Sequence, residues 1–120
     1  MYVKAKKSLG QHFLKDQKIA ERIVESLDLN LSADVLEIGP GTGVLTQHLV
    51  NLGNITFRAA EIDRESIEYL KKNYPQMGEN LLEGDFLNMD LGEIFKGSFS
   101  VIGNFPYNIS SQIFFKLLDY

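Results

Sequence analysis

With 120 residues, 44% of them hydrophobic and 23% charged, the chain has the composition of one soluble globular domain. Cysteine is absent, which excludes disulfides and a thiolate-held metal and fits a reducing compartment. The net charge of −4 hides a split: residues 1–18 carry Lys4, Lys6, Lys7, Lys15 and Lys18 against Asp16, so this arm stands at +4 and the remainder at −8.

A basic arm on an acidic body suits contact with a phosphate backbone, although a solvated polar terminus would look the same. No apolar stretch follows the early lysines, so a secretory signal is not expected. No apolar run approaches a membrane span, and a cytoplasmic protein is the expectation.

Helical spacing first appears at Ile19, Ala20, Ile23, Val24 and Leu27, with Asp16 as N-cap. Asp34-Val35-Leu36-Glu37-Ile38 reads as a short buried strand that runs into glycines. Val44 to Leu52 is predicted helical, with Leu45, Leu49 and Leu52 on one face and Gly53-Asn54 as its stop. Ile55 to Ala60 is the second predicted strand. A helix with Ile67, Leu70 and Tyr74 inward follows and closes at Pro75. Leu81–Gly84 and Phe99–Gly103 are the third and fourth strands, and Ser110–Leu118 a last helix. Strands alternating with helices predict βαβ units and a parallel sheet. The unpaired edge this leaves at the fourth strand predicts either a larger protein or self-association through that edge.

The chemistry gathers at the predicted strand ends. Glu37-Ile38-Gly39-Pro40-Gly41-Thr42-Gly43 leaves a strand and opens a helix, where glycines let the backbone pass close under a ligand and free N–H groups face it. A dinucleotide fingerprint, G-x-G-x-x-G, would need its third glycine where Val44 stands, so an NAD-dependent oxidoreductase fits poorly. No Gly-Lys-Ser/Thr follows, which disfavours a nucleoside triphosphate. Glu61 ends the second strand, where a carboxylate can accept from both ribose hydroxyls of an adenosine-containing cofactor. Asp63 competes for that role but is well placed to cap the next helix. Asp85, after the third strand, can accept from an adenine amine while Phe86 packs on its face; a core position is the rival reading for Phe86. After the fourth strand, Asn104-Phe105-Pro106-Tyr107 offers an amide, a proline and an aromatic lid.

These signals at these spacings resemble the class I S-adenosylmethionine-dependent methyltransferases. Asn104-Phe105-Pro106-Tyr107 is similar to the adenine-N6 motif of the ribosomal RNA adenine dimethyltransferases. Ser8-Leu9-Gly10-Gln11-His12-Phe13-Leu14 resembles that family's N-terminal motif, which closes over the donor's methionine end. The histidine in this motif and the proline in the glycine loop are more similar to the branch acting on small-subunit rRNA.

The resemblance implies a Rossmann-like α/β fold, truncated after about four parallel strands. Residues 1–18 would be a basic arm with the donor-closing motif. Residues 19–120 would be the N-terminal part of the methyltransferase domain, without the family's later strands and helical RNA-binding domain. It implies transfer of methyl groups from S-adenosylmethionine to N6 of adjacent adenines in 16S rRNA within the assembling 30S particle. The products would be N6,N6-dimethyladenosine and S-adenosylhomocysteine. Gln11, His12, Leu14, Glu37, Gly39, Gly41, Gly43, Glu61, Ile62, Asp85, Phe86 and Asn104 would hold the donor, and no metal is implied.

Asn104, Phe105, Pro106 and Tyr107 would form the catalytic slot. The Asn104 side-chain oxygen and the Phe105 carbonyl would accept from the amine as it gains positive charge. Tyr107 would stack on the extruded base. Attack needs no general base, so His12 is expected to shape the donor site and His48 has no role. The chain alone is expected to be inactive on RNA. A large-subunit methyltransferase of the erythromycin-resistance type and a non-catalytic RNA-binding module are the alternatives.

Overall fold

Four aliphatic runs become strands because each must bury both faces beneath helices, as parallel sheets require. The computed structural model describes residues 17–25, 27, 33–103 and 116. Within them β1 (Asp34–Ile38), β2 (Thr56–Glu61), β3 (Leu81–Glu83) and β4 (Ser100–Gly103) form one parallel sheet in the order β3-β2-β1-β4. Asp34 pairs with Thr56, Val35 with Ser100 and Ile38 with Gly103. The chain therefore builds outward from β1 through β2 to β3, then returns to the other side of β1 for β4. That reversal makes the gap above β1 and β4 the topological switch point, where open α/β sheets bind ligands.

The helices are α1 (Gln17–Glu25), α2 (Thr46–Leu49), α3 (Arg64–Asn73) and α4 (Leu91–Ile94). The pleat alternates side chains between two cores. Val35, Phe57, Ala59 and Ile102 join Leu45, Leu49, Ile67, Leu70 and Met77 on one face, with Val24 and Leu27 packed at its margin. Leu36, Ile38 and Ala60 join Phe86, Leu91 and Phe95 on the other. Phe95 stacks on Phe99 with centroids 4.0 Å apart, and the Arg58 guanidinium lies 5.1 Å from the Phe95 ring.

The helix expected over Val44–Leu52 shrinks to α2. Leu45, at its N-cap position, gives no side-chain cap, and the bonds around it mix i−4 and i−3 spacing. Gln47 donates to the Gly43 carbonyl and Val50 to Thr46, whereas His48 reaches Leu45 and Leu52 reaches Leu49. Of the three leucines expected inward, Leu45 and Leu49 are fully buried and Leu52 packs partly buried against the same core. α3 ends at Asn73 with Pro75 just beyond, and a 3-10 segment over Pro75–Asn80, kinked at Gly78, fills the path to β3. The Asp16 cap and most of the last predicted helix lie outside the described residues, although Lys116 is helical. Among the described residues no helix is long and apolar enough to cross a membrane.

Candidate functional site

Glycines Gly39, Gly41 and Gly43, immediately after β1, all take positive φ, at 67°, 59° and 87°. Side chains rarely tolerate that conformation, so the loop needs glycine at each turn of its path. At Gly39 a Cβ would meet nothing within 4 Å, so the loop is open where it leaves the sheet. At Gly43 a Cβ would lie 2.8 Å from Tyr74 Cε2, so a second constraint acts there: the phenol ring packs directly against the loop.

Glu61 is the hub of this region. The pleat puts positions 57, 59 and 61 on one face of β2, the same face that Glu37 takes from β1. Glu61 is 4% exposed, and its Oε1 accepts the Gly41 N–H at 2.8 Å. Its Oε2 accepts from Ile62 N at 2.9 Å and Asp63 N at 3.1 Å. A carboxylate has about four acceptor positions, so the donors among the described residues leave roughly one, on Oε1. The expectation that Glu61 takes both ribose hydroxyls meets a carboxylate that already accepts from three backbone N–H groups.

Asp63 has the capping role expected of it: its Oδ2 accepts from the Ser66 N–H at 3.0 Å and the Ser66 hydroxyl at 2.8 Å. Ile62, between the two acids, is 65% exposed, a large apolar side chain turned to solvent at the strand end. Such a side chain offers a flat ligand an apolar platform.

Glu37 is buried under the loop at 2% exposure, and Oε1 accepts the Thr46 hydroxyl at 2.6 Å. Burial, with Glu61 nearby, pushes its carboxyl up to about 8 despite the opposing Thr46 bond. Burial also raises the Tyr74 phenol, with Tyr69 and Glu37 adding to the effect.

At the end of β3, Gly84 donates to the Glu61 carbonyl at 2.9 Å and so brings the next acid alongside. Asp85 Oδ1 caps the 3-10 turn Phe86–Asn88 through Leu87 N at 3.0 Å. Phe86 is 5% exposed within the second core, which matches the core reading of this residue. Lys116 reaches over this turn: its Nζ donates to the Met89 and Leu87 carbonyls at 2.6 and 3.0 Å and lies 5.7 Å from the Phe86 ring centroid.

The structure thus brings Glu37, Gly39, Gly41, Gly43, Glu61 and Ile62 together at neighbouring strand ends, with Asp85 and Phe86 one strand further out. Gln11, His12 and Leu14, and the slot Asn104-Phe105-Pro106-Tyr107, lie outside the described residues. Two residues with a part here gave no signal of it in the sequence. Thr46 looked like one more helix position, and Tyr74 like a plain core residue of α3. Among the described residues no group of three His, Asp or Glu side chains could hold a metal. An open glycine loop, an acid with acceptor capacity and an exposed apolar platform fit an adenosine-bearing ligand.

Comparison with known proteins agrees with this geometry. A family described as "Ribosomal RNA adenine dimethylase" matches residues 2–120. A protein named "Ribosomal RNA small subunit methyltransferase A" from Parabacteroides distasonis is 57% identical over 98% of the chain, and its namesake from Cytophaga hutchinsonii is 56% identical over 98%. The chain spans 44% and 46% of the length of these two relatives. The crystal structure of a dimethyladenosine transferase from Plasmodium falciparum superposes with a TM-score of 0.64 at 32% identity, covering 86% of this chain and 36% of that one. The chain belongs to the ribosomal RNA adenine dimethylase family.

Proposed function

We propose that this chain is the donor-binding part of an enzyme that moves methyl groups from S-adenosylmethionine to adenine N6 in small-subunit (16S) rRNA. The product would be N6,N6-dimethyladenosine. The observation that carries the reading is the row of strand ends: an open glycine loop after β1, an acid after β2 that both shapes the loop and retains acceptor capacity, and Asp85 after β3. The names of the relatives favour the small-subunit target over the large-subunit alternative.

When bound, the donor supplies an electrophilic methyl carbon on a sulfonium. The glycine loop, open at Gly39, would hold its methionine portion. Glu61 accepts from the ribose, Ile62 covers one face of the adenine, and the second oxygen of Asp85 accepts from the adenine amine. Gln11, His12 and Leu14 would close the methionine end, and the basic residues of 1–18 would contact the RNA backbone.

The reacting amine has its lone pair delocalised into the ring, so it gains nucleophilicity only as its N–H bonds find acceptors. The Asn104 side-chain oxygen and the Phe105 carbonyl provide them, with Pro106 fixing the turn and Tyr107 stacking on the base. The proton leaves after attack, so no residue must act as base beforehand. Chain continuity supports this assignment, since Asn104 follows Gly103, which pairs with Ile38 beside the glycine loop.

Two measurements test the reading. Calorimetry with S-adenosylhomocysteine should show binding that Glu61→Ala abolishes. In the intact enzyme, Asn104→Ala should reduce label transfer to undermethylated small subunits by at least about 100-fold while donor affinity survives. Equal loss of affinity and transfer would remove Asn104 from the chemistry. Absence of transfer by the unmodified intact enzyme would favour a binding module.

A further inference from the structure

Glu37 is an acid in a place where sheets bury hydrocarbon. Among the described residues its hydrogen-bond donor is the Thr46 hydroxyl, itself fully buried. A buried threonine hydroxyl is costly unless it is paired, and valine would fill the same volume without that cost. The pair also has a particular place in the chain. Glu37 sits one residue from the end of β1 and Thr46 is the first residue of α2, so their bond closes the base of the segment 39–45, which contains the positive-φ glycines Gly39, Gly41 and Gly43. Glu61 holds the middle of that segment through Gly41, and Tyr74 supports it at Gly43.

The geometry points to Thr46 as a positioning residue: its hydroxyl, bonded to Glu37, fixes the start of α2 against the end of β1 and sets the shape of the glycine loop before a ligand arrives. A loop already in its bound shape loses less entropy on binding, so the bond contributes to donor affinity without touching the donor. The protonation of Glu37 is consistent with this. A carboxyl pushed up to about 8 is mostly neutral at pH 7, keeps a carbonyl oxygen for Thr46, and does not repel Glu61. The effect on affinity rests on the donor reading given above; the effect on the loop does not.

Thr46→Val removes the hydroxyl at constant shape, and Thr46→Ser restores it. Each variant of the chain is compared with wild type by thermal unfolding, amide hydrogen exchange without ligand, and calorimetry with S-adenosylhomocysteine. Thr46→Val should still unfold cooperatively, exchange about fivefold faster at the Gly41 and Gly43 amides, and bind about tenfold more weakly. Thr46→Ser should stay within about twofold of wild type in both. Unchanged exchange at Gly41 and Gly43 in a folded Thr46→Val chain would overturn the proposal. So would a serine variant that behaves like the valine one.

Should Thr46→Val fail to fold, the wild-type chain alone decides. A slowly exchanging Thr46 hydroxyl proton, with a nuclear Overhauser contact to the Glu37 side chain, is expected, and a hydroxyl in fast exchange with water overturns the proposal. No binding by wild type together with the exchange difference would refute the donor reading and uphold the loop-setting bond.

Discussion

The ends of β1 and β2 bury one glutamate each, on the same face of the same sheet, and the two are built on opposite principles. Among the described residues Glu61 accepts from three backbone N–H groups. Among the described residues Glu37 accepts from one hydroxyl, and burial pushes its carboxyl up to about 8. Similar burial thus yields a side chain ringed by backbone donors at one strand end and a largely neutral hydrogen-bonding group at the other. What separates them is the supply of donors, which the glycine loop and the turn into α3 provide on only one side.

The largest test of that contrast is pH. Unfolded, Glu37 loses its proton near 4.5; folded, it keeps it until about 8. The folded state therefore holds the extra proton between those values, and stability should fall as pH rises through that window, then level off above it. The slope is roughly 1 kcal/mol per pH unit. Glu37→Gln carries no such proton, so its stability relative to wild type should rise from pH 5 to pH 8 in paired denaturant titrations. Parallel curves would mean that Glu37 is ionised in the fold.

The same substitution at the other site should act in reverse. Glu61→Gln places an NH2 group against either Gly41 N–H or the Ile62 and Asp63 N–H pair, and neither amide orientation satisfies both sides. A loss of about 2 kcal/mol is expected near neutral pH, read from urea midpoints. A neutral result would show that these backbone bonds contribute little. Gly43→Ala comes next, at about 1–2 kcal/mol, because its φ is unfavourable and its Cβ meets Tyr74. Tyr74→Leu should recover the steric part and leave the backbone part. The smallest effect is expected at Asp63→Ala, which removes the α3 cap for about 1 kcal/mol and sharpens the division of labour between Asp63 and Glu61.

That division was legible in the sequence, because a strand end followed by Asp-x-x-Ser announces a cap at Asp63 and leaves the acid at the strand end itself for another role. The glycine loop was legible too, since consecutive turns of one hand exclude side chains whatever the rest of the protein does. The strand order follows from βαβ alternation only as far as β3. Less was visible wherever a residue's partner is distant in the chain. Nothing near Thr46 announces a buried glutamate nine residues back, and nothing near Tyr74 announces a glycine loop. The helix over Val44–Leu52 was overestimated because its leucine spacing reports burial, which turns and helices share. Phe86 read equally as ligand contact or core, and its place among Leu36, Ile38 and Phe95 is set by a sheet face that local sequence does not specify.

The strand order also has a consequence for how the site comes into being. β2 meets β1 across the stretch from Asp34 to Thr56, whereas β4 meets β1 only across the far longer one from Val35 to Ser100. Closing the longer loop costs more chain entropy and is the slower event. The glycine loop and Glu61 can therefore assemble early, on a β1–β2–β3 sheet still lacking β4. The crevice between β1 and β4, where Asn104 follows Gly103, is completed last. A nascent chain would thus complete the glycine loop before the crevice beside it.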